Sequence, residues 1–363
     1  MTDLPTIVPP SRRGFLAGLG IAAVGLSFAP LAGCGKGGDG GAKARTLNFY
    51  NWDTYIGETT LADFKAASGV DVNMSLFATN DELFAKLRGG NQGYDVIVPT
   101  NDFVQRMIAA NMLEPLDHAK IPNFRNVDPE FQDAVFDPGR KYSMPYTWLV
   151  MGIGYRKSKV DGVPDSWKWM FDSDRYKGRI SLVSEAGDLV RLAMKYLGKP
   201  MNTSDDATLK QVEALLIKQK PNVAVYHEDN GQDLLLAGDV DLVIEFNGDI
   251  AQVMREDKDI DFVVPREGSQ ISSDCLAIPK GAPNPDLAHE FIDYLLDAKA
   301  GAEIARTIQY PTPNAAAKAL MDEAYRDNKV IFPPDLKNSE YAEYTSEELS
   351  RKYEEIVTRV RAA

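Results

Sequence analysis

The sequence predicts an α/β protein made of two parallel-sheet domains that face each other across a cleft. Three observations predict it. Between residues 47 and 98 the pattern runs strand, helix, strand, helix, strand, which is the order that builds a parallel sheet. A second run of alternating strand and helix patterns covers 149–264, and a Pro- and Asp-rich stretch at 115–145 separates the two. The chain's 363 residues are enough for two domains of ordinary size.

Leu47-Asn48-Phe49-Tyr50 reads as the first strand. Leu61, Phe64 and Lys65 mark a short amphipathic helix that stops at Gly69, because glycine ends helices in the left-handed conformation. Residues 70–76 alternate apolar and polar, the period of a half-buried strand. Leu83, Phe84 and Leu87 place the next helix, stopped by Gly89-Gly90. Val96-Ile97-Val98 is a continuous apolar run, as in a parallel strand buried on both faces. The stretch 115–145 reads as an irregular surface connection. Strands follow at 149–155, 179–183, 223–226, 242–245, 262–264 and 276–278, with helices at 187–197, 206–218, 286–297 and about 346–361.

Charge and composition exclude several classes. The formal net charge is -13 and no Lys/Arg-rich stripe occurs, so a nucleic-acid partner is not expected; the same field favours cationic ligands. Three separated histidines and two cysteines form no CxxC, HExxH or Cys/His cluster, so no metal site is expected. Gly152-Ile153-Gly154 lacks the third glycine of a dinucleotide fingerprint, and neither a GxSxG nor a P-loop occurs. Nothing sets a base beside a nucleophile, so no enzyme and no cofactor are expected.

The first residues read as an address. Ser11-Arg12-Arg13-Gly14-Phe15-Leu16 resembles the twin-arginine export motif, and an apolar stretch follows to about residue 30. Leu31-Ala32-Gly33-Cys34 resembles the lipobox of bacterial lipoproteins, in which the cut falls before the cysteine and the cysteine carries lipid. A plain transmembrane anchor is the competing reading. The expected boundaries are a signal peptide at 1–33 and a lipidated Cys34 with a Gly-rich leash at 34–45. The location expected is the periplasm, with the chain anchored by its lipid. Cys275 is then a lone thiol, expected to be buried.

Candidate site residues cluster after strands, where α/β sheets open onto their ligand crevice. Trp52, Asp53 and Tyr55 follow the first strand. They offer cation–π faces and a carboxylate for an organic cation, or they are a core Trp beside a solvated Asp. Glu185 and Asp188 open a helix; three residues apart, they share a face and could clamp one ammonium, or they merely complement the helix dipole. Glu228-Asp229, Glu245-Phe246-Asn247-Gly248-Asp249 and Asp274 repeat the pattern of carboxylates at strand ends.

Further motifs carry a resemblance. Phe49-Tyr50-Asn51-Trp52, Tyr94-Asp95-Val96-Ile97-Val98-Pro99, Asn123-Phe124, Phe136-Asp137-Pro138, Ser143-Met144-Pro145-Tyr146, Asp274-Cys275-Leu276-Ala277-Ile278-Pro279 and Tyr310-Pro311-Thr312-Pro313-Asn314 resemble the periplasmic spermidine/putrescine-binding proteins of ABC transporters, over nearly the whole chain after the leash. The resemblance implies a two-domain venus-flytrap fold of type II. Crossings near 150–153, 271–274 and 320 would give a first domain of 46–150 plus 275–319 and a second of 153–271 plus 321–363. It also implies that Trp52, Tyr55 and Tyr310 stack on a polyamine, that Glu185, Asp188 and Asp274 cap its ammonium groups, and that Thr100 adds a hydroxyl.

The sequence departs from the spermidine binders at several positions. Phe246 replaces a Trp, and Asp102 and Ser272 stand at aromatic positions. Asp53 and Glu228 replace uncharged residues, and Ala342 or Glu343 falls where a Gln contact would be. Rings have been exchanged for carboxylates, so specificity should be shifted from plain spermidine. The function implied is that of a monomeric binding component that closes over a polyamine and delivers it to a membrane permease. A binder of another small cationic or amino-acid-derived ligand on the same fold, or a ligand sensor for a membrane partner, are the alternatives.

Overall fold

A computed structural model describes residues 45–363. The export-like segment, Cys34 and the leash lie outside the described residues. Ten strands occur among those described: β1 (Arg45–Asn51), β2 (Val70–Leu76), β3 (Val96–Ile97), β4 (Ser143–Arg156), β5 (Ile180–Val183), β6 (Val223–His227), β7 (Leu242–Phe246), β8 (Ile260–Val263), β9 (Gln270–Ala277) and β10 (Glu340–Tyr341).

Strand β1 lies parallel to both β2 and β3, with Phe49 opposite Val96. Strand β9 runs antiparallel to β3 and to the first half of β4. At Val150/Met151 β4 changes partners, and its second half runs antiparallel to β7 and β8. Strands β7, β5 and β6 are mutually parallel. One long strand therefore ties together two sheets, each carrying a parallel set. Residues of the first sheet pack with Phe64, Phe291 and Ile292. Those of the second pack with Trp167, Leu189 and Leu192 and with Tyr353 and Ile356 of the C-terminal helix Glu347–Ala362. The helix Ala298–Ile308 splits its apolar residues, Ile304 and Ile308 joining the first of these cores and Ala302 and Ala305 a separate cluster around Ile250 and Phe262.

Local rules account for the elements. The helix Thr60–Ser68 ends on Gly69 at φ 72, whose N–H donates to the Lys65 carbonyl. Helix Asn80–Arg88 is capped by the Thr79 hydroxyl, which accepts from the Glu82 N–H. Three elements differ from the sequence expectation. Strand β2 is buried only at Val70, while Met74 and Leu76 are exposed, because β2 ends the sheet and only its first residues reach the core shared with Phe64. Strand β4 starts at Ser143, not 149, because a register shift between Pro145 and Thr147 accommodates the proline, which has no N–H for the ladder. Strand β9 starts at Gln270, not 276, and its Ser272, Ser273 and Asp274 are buried despite their polarity.

The stretch 115–145 is not all surface. It forms four short 3-10 turns, and Asp137 and Arg140 are buried. The Asp137 carboxylate accepts from the Tyr142 and Ser143 N–H groups and from the Ser143 hydroxyl, holding the entry to β4. Cys275 is a buried free thiol, 3.8 Å from Arg140 Nη1. No helix among the described residues is long and apolar enough to cross a membrane.

Candidate functional site

The C-terminal ends of strands from both sheets converge on one cleft, about 570 Å³ including its open mouth. Its floor is β9. The pleat sends Asp274 into the cleft and its neighbours Ser273 and Cys275 to the opposite face. The Asp274 carboxylate is buried, and its Oδ2 accepts from the Tyr55 hydroxyl at 2.7 Å while its Oδ1 has no partner. Tyr55 also bonds the Thr147 hydroxyl and meets Tyr310 edge to face, centroids 5.0 Å apart. Trp52 is held by its indole N–H, which donates to the Val98 carbonyl at 2.9 Å.

The second sheet supplies the other wall. Tyr310 donates to Asp249 Oδ2 at 2.6 Å. Gly248 is needed there, because a Cβ at that position would overlap the Tyr310 ring. Glu245 is buried, its Oε2 3.2 Å from His227 Nε2, while His227 Nδ1 lies 2.7 Å from the Ser181 hydroxyl. Glu185 accepts from the backbone N–H of Asn80 at 3.1 Å, a contact between residues that line opposite walls.

Of the residues singled out from the sequence, Trp52, Asp53, Tyr55, Thr100, Glu185, Asp188, Glu228, Phe246, Asp274 and Tyr310 all line this cleft. Asp102 does not. It is buried beside it, accepting from the Thr100 hydroxyl at 2.8 Å and paired with Arg191 Nη1 at 2.9 Å. Paired with a protein cation, this carboxylate stands behind the lining and not in it. Asp229, Glu245 and Asp249 line the cleft and were not among the assigned contacts. Their position at strand ends was the available signal; which of several neighbouring carboxylates turns inward was not.

Eight carboxylates and four rings thus face one space, with no lysine or arginine in its lining. The charges oppose one another. Burial, opposed by the Tyr55 hydrogen bond, pushes Asp274 up to about 7. Burial raises Asp188 to about 6 despite Arg191. Glu185, Asp229 and Asp249 are held well above the usual carboxylate range by burial first, then by the carboxylates beside them: Asp188, Asp249 and Glu245 respectively. No group of residues that could hold a metal ion is found among the described residues.

A cleft between two sheets joined by a shared strand, walled by rings and converging charge, defines a binding protein of the two-lobed clamp class. Residues 59–333 match the family described as bacterial extracellular solute-binding protein. The chain is 34% identical over 300 residues to the spermidine/putrescine-binding periplasmic protein of Escherichia coli, covering 82% of this chain and 86% of that one. It is 32% identical over 347 residues to the putrescine-binding periplasmic protein SpuD of Pseudomonas aeruginosa, covering 91% and 94%. Among solved structures it is similar to a putative spermidine/putrescine ABC transporter from Listeria monocytogenes, with a TM-score of 0.83 and 32% identity over 87% of this chain and 99% of that one. The chain belongs to the bacterial extracellular solute-binding proteins, and its fold is the two-domain periplasmic-binding-protein fold.

Proposed function

We propose that this protein captures a polyamine in the cleft by closure of its two domains and delivers it to the permease of an ABC importer. The observation that carries this reading is a lining of eight carboxylates and four rings without a lysine or arginine. Such a site lacks its counter-charge, and an amine with two or more ammonium groups supplies it. The rings of Trp52, Tyr55, Phe246 and Tyr310 suit the methylenes between ammonium groups and attract the cations themselves. Asp274, whose Oδ1 is buried without a partner, is the central ammonium acceptor. Closure excludes water and strengthens each ammonium–carboxylate contact. The relatives named as putrescine- or spermidine-binding support the ligand class. The domains that close are taken as 46–150 plus 275–319 and 153–271 plus 321–363, working as a monomer.

The test is a thermal-shift screen of the Cys34→Ala chain, stripped of co-purified ligand, against putrescine, cadaverine, spermidine, spermine, basic amino acids and a neutral sugar. A ligand at one hundred times its dissociation constant stabilises the folded state by about 2.7 kcal/mol, an upward shift of several degrees. Shifts with amines that weaken at high salt are expected. Flat curves for every amine sink the reading.

The twin-arginine-like and lipobox-like segments support export and anchoring through Cys34. Lipid would hold the receptor near its permease and raise the effective concentration. Radiolabelled palmitate fed to expressing cells is expected on the native chain and absent from Cys34→Ala. Equal labelling of both would remove the lipid anchor from the proposal.

A further inference from the structure

The cleft opens at one end into a second, wider space of about 1010 Å³, counting open solvent, and Asp53, Ala78, Glu228 and Asp229 line both. This mouth lies between the ends of β2 and β6, the terminal strands of the two sheets. Its carboxylates are Asp53, Glu82, Glu228 and Asp229. No lysine or arginine lines it, and none of the four has one at ion-pair distance among the described residues. Arg361, 5.6 Å from the Tyr226 ring, stands outside the lining and donates to the Ser184 carbonyl at 2.9 Å. Apolar surface lies among the carboxylates: Leu76 and Val225 are 46% and 36% exposed, and Phe77, Tyr226 and Leu234 complete the wall. The cavity beyond Asp102 and Arg191, by contrast, shares no lining residue with the cleft.

Where the two spaces meet, the wall is short of a donor. His227 lines the mouth and Glu245 the cleft; each is 3% exposed, their Nε2 and Oε2 are 3.2 Å apart, and neither atom makes a hydrogen bond. The Ser181 hydroxyl gives its hydrogen to the Val225 carbonyl at 3.3 Å, so in its 2.7 Å contact with His227 Nδ1 the ring donates and Nε2 keeps a lone pair. Two buried acceptors thus face each other, and leaving such atoms unmatched is costly.

Resting on the polyamine reading, we infer that the site has an outer ammonium subsite at the cleft mouth, with Glu82 as its far carboxylate, and takes linear amines of three or four ammonium groups in preference to diamines. One end of the amine lies against Asp274, and the other passes the His227–Glu245 acceptors and emerges by Asp229 and Glu228 toward Glu82. Leu76, Val225 and Tyr226 cover the methylenes there. A diamine fills the cleft and leaves the mouth carboxylates without a counter-charge.

The test is calorimetric titration of the Cys34→Ala chain with putrescine and with spermine. The parent chain is expected to prefer spermine. Glu82 lines the mouth and not the cleft. Glu82→Gln is therefore expected to weaken spermine by about fivefold, the upper range for an exposed ion pair, and putrescine by less than about twofold. Glu82→Lys sets a like charge in the mouth and is expected to move the ratio further toward putrescine. Glu355→Gln removes the same charge from an exposed position on the C-terminal helix, and it is expected to leave the ratio unchanged. Glu82 also accepts from the Ala78 N–H at 3.0 Å; a purely structural role there would weaken both amines together and leave their ratio fixed. That result, a parental preference for putrescine, or a ratio that Glu355→Gln moves as far as Glu82→Gln does, overturns the inference while the polyamine reading stands. Binding of neither amine to the parent overturns both.

Discussion

Asp274→Asn weakens putrescine binding by about 30-fold or more and, at pH 8, raises the melting temperature of the ligand-free protein. The two effects have one origin. In the empty cleft Asp274 is a buried carboxylate facing other carboxylates, pushed up to about 7 by burial, so its ionised form is a burden on the folded state. Asparagine has the same shape, keeps an oxygen for the Tyr55 hydroxyl and carries no charge. With an amine bound, the same charge becomes a buried partner of an ammonium, and deleting one member of such a pair costs about 2–5 kcal/mol of binding. Calorimetric titration and thermal denaturation on one preparation check both halves. A variant that binds as tightly as the parent removes Asp274 from the ammonium contacts. One that binds weakly and also melts lower shows a structural carboxylate instead.

Binding of any amine weakens steeply as pH falls from 8 to 5, while the ligand-free protein becomes more stable over the same range. Burial holds Asp274 at about 7 and Asp188 at about 6 in the folded chain, and Glu185, Asp229 and Asp249 are raised as well, against ordinary values of 3.8 for aspartate and 4.5 for glutamate. Between about pH 4 and pH 7 the folded state therefore holds protons that the unfolded chain has released, and stability falls as pH rises. This contribution is fully present below about pH 4 and lost through pH 7. An ammonium ligand needs the ionised forms, so it must displace those protons. Each such group lowers affinity by about tenfold per pH unit below its raised value. The melting temperature of the empty protein should decline from pH 5 to pH 8, and the shift produced by putrescine should grow. Proton release on binding, read from titrations in buffers of different ionisation enthalpy, checks the same linkage. Affinity that stays level from pH 8 to pH 5 would mean the cleft carboxylates are already ionised without a ligand.

Much of the fold was legible because its elements obey local rules. The period-two and period-3.6 patterns, together with glycine stops such as Gly69, placed most of the elements within a few residues of where they lie. Legibility failed where polar residues are buried for tertiary reasons. Gln270, Ser272, Ser273 and Asp274 do not look like a central strand, yet the chain around Ser273 satisfies its polar atoms: the Asn101 side chain accepts from the Ser273 N–H, and the Thr147 carbonyl from its hydroxyl. Pro145 hid the start of β4 in the same way, since the bulge that tolerates it is a property of the pairing and not of the strand alone.

The site divides along the same line. By itself the sequence determined that carboxylates and rings recur at strand ends, and in an α/β protein those ends face one crevice; the cationic character of the ligand follows from that. Only the tertiary structure decided which carboxylates are available. Asp102 and Asp249 look alike as acidic residues near the start of a helix after a strand. One meets Arg191, which arrives from a distant part of the chain, and is neutralised. The other meets Tyr310 and its fellow carboxylates and stays short of a counter-charge. Sequence periodicity reports which way a backbone runs and which face is apolar. The charge state of a pocket depends on which side chains from other segments come within a few ångströms, and that is set when the two sheets pack.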